Sequence, residues 1–171
     1  MKYNRINTCD CTNGLGWGVS LFTQGCDRHC EGCFNPETWN FNNGKDFTQE
    51  QLNLIIDLLH PEYITRFSFL GGEPLAPVNR YQVACIINKI HSIYDNTKSI
   101  WIWSGYTYEE LKKQSQTDNY LEYILNNADI LIDGPFMKGK KDLTLKWCGS
   151  SNQRIIDLKT TNKENKLILL K

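Results

Sequence analysis

Hydrophobic and polar residues alternate along this chain in two ways, one typical of strands and the other of helices. Short apolar runs, bounded by glycine, serine or proline, predict buried strands. Longer segments that repeat apolar residues at intervals of three and four predict helices with one buried face. The predicted strands are 19–23, 66–70, 99–103, 129–132 and 154–158, and the predicted helices are 48–59, 77–94, a short helix after Thr107, and 118–125.

The predicted helix starts carry side chains that can cap free backbone N–H groups. Thr48 and Gln51 have the spacing of a capping box, and so do Thr107 and Glu110. Asp118 is expected to cap a further helix. Because strands and helices alternate, we expect an α/β fold with a largely parallel sheet and helices packed on it.

The length limits the architecture that this alternation can form. A closed barrel of eight strands typically needs about 250 residues, whereas this chain has 171. We therefore expect a single domain spanning residues 1–171. Its sheet is expected to be either part of a barrel or a short doubly wound sheet.

Composition and charge exclude several classes of function. Lys plus Arg total 19 and Asp plus Glu total 19, so the formal net charge is zero. Nucleic-acid-binding domains usually carry a basic excess or a basic stripe, which we do not find. Residues 1–13 are polar, unlike a signal peptide, and no apolar run approaches the roughly 18 residues of a membrane helix. We expect a cytoplasmic protein that binds neither nucleic acid nor membrane.

Cysteine is frequent and unevenly spaced. An odd total, tight clustering and the lack of a signal peptide argue against a disulfide framework and favour metal binding or redox chemistry. Cys85 stands among aliphatic residues and is expected to be a small buried hydrophobic residue. Cys9 and Cys11 form a separate pair that we expect to be incidental. The seven cysteines are at positions 9, 11, 26, 30, 33, 85 and 148.

Three cysteines within eight residues, Cys26, Cys30 and Cys33, have the spacing C-x3-C-x2-C. Thiolates bind iron–sulfur clusters and also zinc. Ferredoxin-type clusters take four cysteines, but no fourth lies at motif spacing here, so one iron of a four-iron cluster would stay open to a small molecule. The alternative is a zinc knuckle completed by His29 or a distant cysteine. Otherwise Arg28 and His29 are expected to be solvated loop residues.

A short sequence with glycine or with potential ligands follows each of the four best strand candidates. In parallel α/β folds, ligands bind at the carboxyl ends of the strands. We therefore expect these four sequences to meet at one rim of the sheet. They are residues 25–35, Gly71-Gly72-Glu73-Pro74, Ser104-Gly105-Tyr106-Thr107 and Asp133-Gly134-Pro135-Phe136.

The turn at 71–74 is a candidate ligand site. Its two glycines allow a ligand to approach the backbone, and Glu73 can accept charge-assisted hydrogen bonds from an ammonium group. A Gly-Gly turn alone is more often only a turn, but its place beside the cysteines gives it weight. Trp101 and Trp103 are expected to pack in the core, whereas Ser104, at the strand end, could meet a ligand.

Together these motifs resemble the radical S-adenosylmethionine (SAM) superfamily and, more narrowly, its glycyl-radical activating enzymes. The cysteine triad matches the superfamily motif. The lead-in at 20–25, with Phe34-Asn35 and Thr38-Trp39 after the triad, is similar to the activating enzymes. The sequences 103–107 and 149–153 are similar to the branch that acts on anaerobic ribonucleotide reductases. The resemblance runs from about residue 14 to about residue 157.

This resemblance implies a fold, two cofactors and a set of site residues. The fold is a partial (incomplete) TIM-like β/α barrel of the radical SAM type. Cys26, Cys30 and Cys33 would bind three irons of a 4Fe-4S cluster, and the amino and carboxylate groups of SAM would chelate the fourth. The residues expected to contact SAM are Gly71, Gly72 and Glu73 at the methionyl amino group, Gly32, Cys33 and Phe34 near the adenine, and Ser104.

The resemblance also implies an activity and two protein partners. An electron from a flavodoxin-like donor would reduce the cluster, and SAM would be cleaved to methionine and a 5′-deoxyadenosyl radical. That radical would take a hydrogen atom from a glycine in the large subunit of an anaerobic ribonucleoside-triphosphate reductase. The cofactors would supply the difficult chemistry, and the protein would bind and orient them.

Three other functions fit parts of the sequence. They are a short radical SAM enzyme acting on a small molecule, of the 7-carboxy-7-deazaguanine synthase type, a zinc-binding interaction module, and an electron carrier with a saturated cluster. The sequences 103–107 and 149–153 argue against the first of these.

One position departs from the pattern of the family that the chain resembles. A basic residue tends to stand shortly before the Ser20-Leu21-Phe22 strand in that family, whereas Gly18 stands near there in this chain.

Overall fold

A seven-stranded sheet and five α-helices make up the computed structural model of this chain, which describes residues 1–170. No helix among these residues is long and apolar enough to cross a membrane. Single turns of 3-10 helix lie at Pro36–Thr38 and Lys138–Lys140. The strands are β1 (Lys2–Asp10), β2 (Trp17–Thr23), β3 (Lys45–Asp46), β4 (Ile64–Gly71), β5 (Ser99–Trp103), β6 (Ile130–Asp133) and β7 (Arg154–Asp157). The helices are α1 (Gln49–Leu59), α2 (Pro77–Tyr94), α3 (Tyr108–Gln114), α4 (Asn119–Asn127) and α5 (Leu158–Glu164).

The four central strands, β2, β4, β5 and β6, are parallel neighbours in that order. Antiparallel strands flank them, with β3 and β1 on one side and β7 on the other. The predicted α/β fold with a largely parallel sheet is therefore confirmed. The parallel strands follow one another in a single direction, without the reversal of order that a doubly wound sheet has. The partial barrel stays a prediction.

All five helices pack on one face of the sheet. Successive residues of a strand face opposite sides, and every second residue of the central strands enters the same hydrophobic cluster as the helices. This face is therefore the main core of the protein. Its members include Val19 and Leu21 of β2, Phe67 and Phe69 of β4, Ile100 and Ile102 of β5, Leu131 of β6, and the helical residues Ile55, Ile87, Leu111, Ile124 and Leu158.

The opposite face of β5 and β6 carries a second, smaller apolar cluster. Trp101 is buried there and packs edge-on against Trp147, with ring centroids 4.8 Å apart. The indole N–H of Trp103 donates to the carbonyl of Trp147 at 2.8 Å. The expected core packing of the strand tryptophans is confirmed for Trp101, whereas Trp103 is half-buried at the edge of the cluster.

On the same face, the fully buried Arg66 of β4 anchors the connection between β1 and β2. Its guanidinium donates to the carbonyl oxygens of Asp10 at 2.7 Å and Leu15 at 3.4 Å, and also to that of Asn13. A Cβ atom on Gly18 would lie 2.8 Å from the guanidinium carbon. A basic group therefore does lie beside β2 at this point, but the neighbouring strand supplies it.

The carboxylate of Asp10 lies close to this buried guanidinium. Burial raises the pKa of Asp10, but hydrogen bonds from Ser20, Asn13 and Thr12 outweigh that effect and lower the pKa to about 2. Asp10 is therefore ionised at neutral pH. Its negative charge favours the charged form of Arg66, whose own pKa is lowered by burial.

The helices begin at the predicted caps. Thr48 and Thr107 each form a complete capping box, at the starts of α1 and α3. The side chain of Asp118 accepts hydrogen bonds from the N–H groups of Tyr120 and Leu121, which starts α4. These three helix starts are confirmed.

The sequence patterns do not predict β1, β3 or α5. β1 is largely polar because it pairs with β2 near the edge of the sheet, where one side can face solvent. The predicted strand 154–158 ends at Asp157, and Leu158 begins α5. The expectation of a buried Cys85 is wrong, since this residue is half-buried on α2.

The replacement Arg66→Met tests the anchor between β1, β2 and β4. It removes the donors of several buried carbonyl groups and leaves Asp10 without its positive partner. We expect the free energy of unfolding to fall by about 3–5 kcal/mol, because several carbonyl oxygens lose their donors and each buried acceptor left unpaired costs about 1–3 kcal/mol. Urea denaturation followed by circular dichroism measures this change. Lys89→Met at an exposed position of α2 is the control, and equal stability of the two variants would contradict the anchoring role.

Candidate cofactor site

The four strand-end sequences meet at one cavity beside the carboxyl ends of β2, β4, β5 and β6. The cavity contains about 740 Å³ of empty space, part of it open to solvent. Among the predicted site residues, Gly32 is exposed and does not line the cavity. Those that line it are Cys26, Cys30, Cys33, Phe34, Gly71, Gly72, Glu73 and Ser104.

The loop with the three cysteines, residues 25–33 (the cysteine loop), is held by the segment that follows it. The N–H of Cys26 donates to the carbonyl of Trp39 at 3.0 Å. The ring of His29 stacks on the indole of Trp39, with centroids 4.8 Å apart. Cys26 is buried, and the other two cysteines of the loop are half-buried. The loop thus brings three thiols to the wall of one cavity.

The surroundings of Cys26 oppose a free thiolate. Burial raises the pKa of its thiol to about 11, although the backbone N–H groups of Arg28 and His29 act in the opposite direction. A thiolate at this position needs a positive partner, and metal binding would release the proton. No three His, Cys, Asp or Glu side chains among residues 1–170 are grouped as ligands of a single metal ion. A four-iron cluster does not require that grouping, because each cysteine binds a different iron.

The turn after β4 packs directly on the cysteine loop through its glycines. A Cβ atom on Gly72 would lie 2.5 Å from the carbonyl oxygen of Gly25. Gly71 has a φ of +104°, which residues with a side chain rarely adopt. The N–H of Glu73 donates to the same Gly25 carbonyl at 2.7 Å. The two glycines are therefore required for protein packing, in addition to any approach by a ligand.

Glu73 is buried, and three donors surround its carboxylate. One oxygen accepts from the N–H of Leu75 at 2.9 Å and from the hydroxyl of Ser104 at 2.8 Å. The other oxygen accepts from the N–H of Gly105 at 2.7 Å. Burial raises the pKa of Glu73 to about 7 in spite of these bonds. Glu73 thus fixes the turn after β5 relative to the turn after β4, a role that the sequence does not reveal.

Tyr106 connects the turn after β5 to the cysteine loop. Its buried hydroxyl donates to the carboxylate of Asp27. The guanidinium carbon of Arg28 lies 4.7 Å from the centre of the tyrosine ring. The expectation that Arg28 is a solvated loop residue is therefore wrong, because this side chain is half-buried against Tyr106. Tyr106 stands within a recognised motif, but its partners lie in another loop.

The turn before β7 shapes a further wall of the cavity. Gln153 lines the cavity, and its amide N–H donates to the carbonyl of Gly134 at 3.0 Å. Its amide oxygen accepts from the N–H of Gly149 at 2.7 Å. Nearby, Phe136 packs edge-on against Phe34 with centroids 5.0 Å apart. The motif at 149–153 therefore contributes to the same site as the cysteines.

Gly72→Ala tests the packing between the turn after β4 and the cysteine loop. The added methyl group would lie 2.5 Å from a backbone oxygen, so one of the two segments has to move. We expect a loss of about 1–3 kcal/mol of stability and a lower content of bound iron after anaerobic reconstitution. The control is Gly139→Ala, since nothing lies within 4 Å of a Cβ atom there. Normal iron content in Gly72→Ala would show that this contact does not position the loop.

A model of the 4Fe-4S single cluster domain family matches residues 12–156 of the chain. The match includes the cysteine loop, the turns after β4, β5 and β6, and the turn before β7. The fold and the site thus define an iron–sulfur protein with one cluster.

Curated relatives narrow this class further. A protein of enterobacteria phage T4 is 37% identical over 155 residues, which are 91% of this chain and 93% of the relative. A protein of Salmonella typhi is 36% identical over 161 residues, and one of Escherichia coli K12 is 34% identical over the same length, each match covering 93% of this chain and 100% of the relative. All three are named anaerobic ribonucleoside-triphosphate reductase-activating protein. This chain belongs to that family, which confirms the resemblance drawn from the motifs.

Proposed function

We propose that this protein is a radical SAM enzyme that activates an anaerobic (class III) ribonucleoside-triphosphate reductase by generating a glycyl radical on it. The observation that carries the proposal is the meeting of the cysteine loop with three glycine-containing turns in one cavity. Relatives that match more than nine-tenths of this chain are named for activating that reductase.

Cys26, Cys30 and Cys33 are the proposed ligands of the 4Fe-4S cluster. Their side chains line one cavity, which the other four cysteines of the chain do not line. Cys85 lies on α2, and Cys148 packs against the tryptophan cluster on the far side of the sheet from the helices. The cavity therefore offers three thiols, and the remaining iron is left to a ligand that is not part of the chain.

SAM is the proposed ligand of that iron, through its amino and carboxylate groups. The turn at 71–73 and Ser104 share the cavity with the cysteines. Because the Ser104 hydroxyl donates to Glu73, the carboxylate and the Ser104 oxygen lie side by side as acceptors that an ammonium group could meet. Gly32, Cys33 and Phe34 form the segment proposed to lie near the adenine, where the exposed ring of Phe34 offers an apolar face.

When bound, the cluster and SAM supply a one-electron reductive cleavage that yields methionine and a 5′-deoxyadenosyl radical, which takes hydrogen from a glycine of the reductase. The chain itself binds and orients both groups. Leu70, Trp103 and Phe136 add apolar surface to the cavity and limit the access of water.

We also propose that the sheet is an incomplete barrel, open on one side. The unidirectional order of the parallel strands and the placement of all helices on one face support this. A large protein can reach the cavity through the open side. A flavodoxin-like protein is the proposed electron donor, and the cytoplasm is the proposed location of the enzyme.

One anaerobic experiment tests the proposed function. The reconstituted protein is mixed with SAM, dithionite and the anaerobic ribonucleotide reductase of the same organism, and the products are followed by electron paramagnetic resonance (EPR). We expect a glycyl radical on the reductase and one methionine per SAM cleaved. Release of 5′-deoxyadenosine without a glycyl radical, from protein with a complete cluster, would contradict the proposal.

Cys30→Ala is expected to lose the cluster while the fold survives, because Cys30 is half-buried in a loop and contributes little to the core. Iron and sulfide analysis after anaerobic reconstitution measures the loss. Cys85→Ala is the matched control, since Cys85 is also half-buried but lies on α2 outside the cavity. Intact cluster spectra in Cys30→Ala, or equal iron loss in both variants, would disprove the ligand assignment.

Glu73→Gln is expected to weaken SAM binding more than it weakens cluster assembly. The amide keeps the size of the side chain but removes its charge and one acceptor, so the hydrogen bonds to Ser104 and Gly105 cannot all form. A charge-assisted hydrogen bond contributes about 1.5–3 kcal/mol, so the dissociation constant of SAM should rise about tenfold or more. Equilibrium dialysis with labelled SAM measures it. Glu122→Gln, at an exposed position of α4, should bind SAM normally, and unchanged affinity in Glu73→Gln would disprove its role.

A further inference from the structure

A positively charged segment lies beside the cavity, in the connection between β6 and β7. Residues 137–146, here called the lysine segment, contain four lysines and one aspartate, although the whole chain has no net charge. All of its residues except Asp142 are exposed. The segment is therefore a local positive surface on a protein with no net charge.

The lysine segment is joined to the rim of the cavity. Lys138 forms an ion pair of 2.8 Å with Glu31 of the cysteine loop. The Nζ of Lys141 lies 5.3 Å from the ring centre of Phe34, which lines the cavity. The positive surface is thus continuous with the site.

Exposed apolar side chains stand among these lysines. Leu143 is 77% exposed and Met137 is 43% exposed, and Phe34 at the adjoining rim is 55% exposed. An apolar surface bordered by charges beside a site is typical of protein-binding surfaces. Lysines at its margin favour a partner with acidic side chains, because complementary charge guides association.

We propose that the lysine segment is the docking surface for the reductase, and that it binds acidic and apolar side chains that flank the target glycine. This inference rests on the proposed function. The reductase is favoured over the electron donor because hydrogen-atom transfer requires the glycine to enter the cavity, so the reductase must cover the rim. An electron donor has no such need.

The double replacement Lys140→Glu with Lys146→Glu tests the docking surface. Lys138 contacts Glu31 and Lys141 contacts the ring of Phe34. Neither lysine is replaced, so this variant leaves both contacts in place. The matched control is Lys89→Glu with Lys112→Glu. These two lysines are exposed on α2 and α3, so the control changes the net charge by the same amount.

Two quantities are measured with dithionite as the reductant. The reductase concentration for half-maximal glycyl-radical formation should rise about tenfold in the lysine-segment variant and stay near the wild-type value in the control. The dissociation constant of the complex, from calorimetry, should change in parallel and should rise with salt in the wild type. Release of 5′-deoxyadenosine without reductase should be equal in all three proteins.

Three results would overturn the docking proposal. The first two are an unchanged affinity for the reductase and an equal loss in the control. The third is a defect that occurs only when a flavodoxin replaces dithionite as the reductant, which would place the electron donor on this surface. Failure of the wild-type protein to form a glycyl radical would count against the proposed function instead. Calorimetry still tests the surface in that case, so the two failures are distinguishable.

Discussion

The carbonyl oxygen of Gly25 is the point at which the cysteine loop meets the turn after β4. It accepts the N–H of Glu73, and Gly72 leaves room for it because glycine has no side chain. Parallel pairing of β2 and β4, with Thr23 opposite Gly71, brings the two strand ends to this contact. Since the Glu73 carboxylate also binds the turn after β5, one chain of hydrogen bonds sets both the cysteine loop and the polar wall of the cavity.

Local signals explain the elements that the sequence predicts well. α2 and β5 have the predicted bounds, and the capping boxes at Thr48 and Thr107 form as expected, because these features depend on residues a few positions apart. β1 carries no such signal. Its position is determined by pairing with β2 and by the contact of Arg66 with Asp10, whose residues are 56 positions apart.

The site shows the same difference between features set by neighbouring residues and features set by contacts between distant parts of the chain. The cysteine triad and the Gly-Gly-Glu-Pro turn can be found as short motifs, and the parallel sheet explains why they meet at one rim. The bond between Ser104 and Glu73 joins residues 31 positions apart, and that between Tyr106 and Asp27 joins residues 79 positions apart. No local pattern reveals such pairs, so the sequence identifies candidate ligands but not the side chains that hold their loops in place.

The central claim is that three cysteines leave one iron of the cluster for SAM. Its most direct test is an electron–nuclear double resonance spectrum of the reduced protein with SAM labelled with nitrogen-15 at the methionyl amino group. Coupling between the electron spin of the cluster and the labelled nitrogen is the predicted result. A spectrum without that coupling, from protein that contains a complete cluster and bound SAM, would contradict the claim.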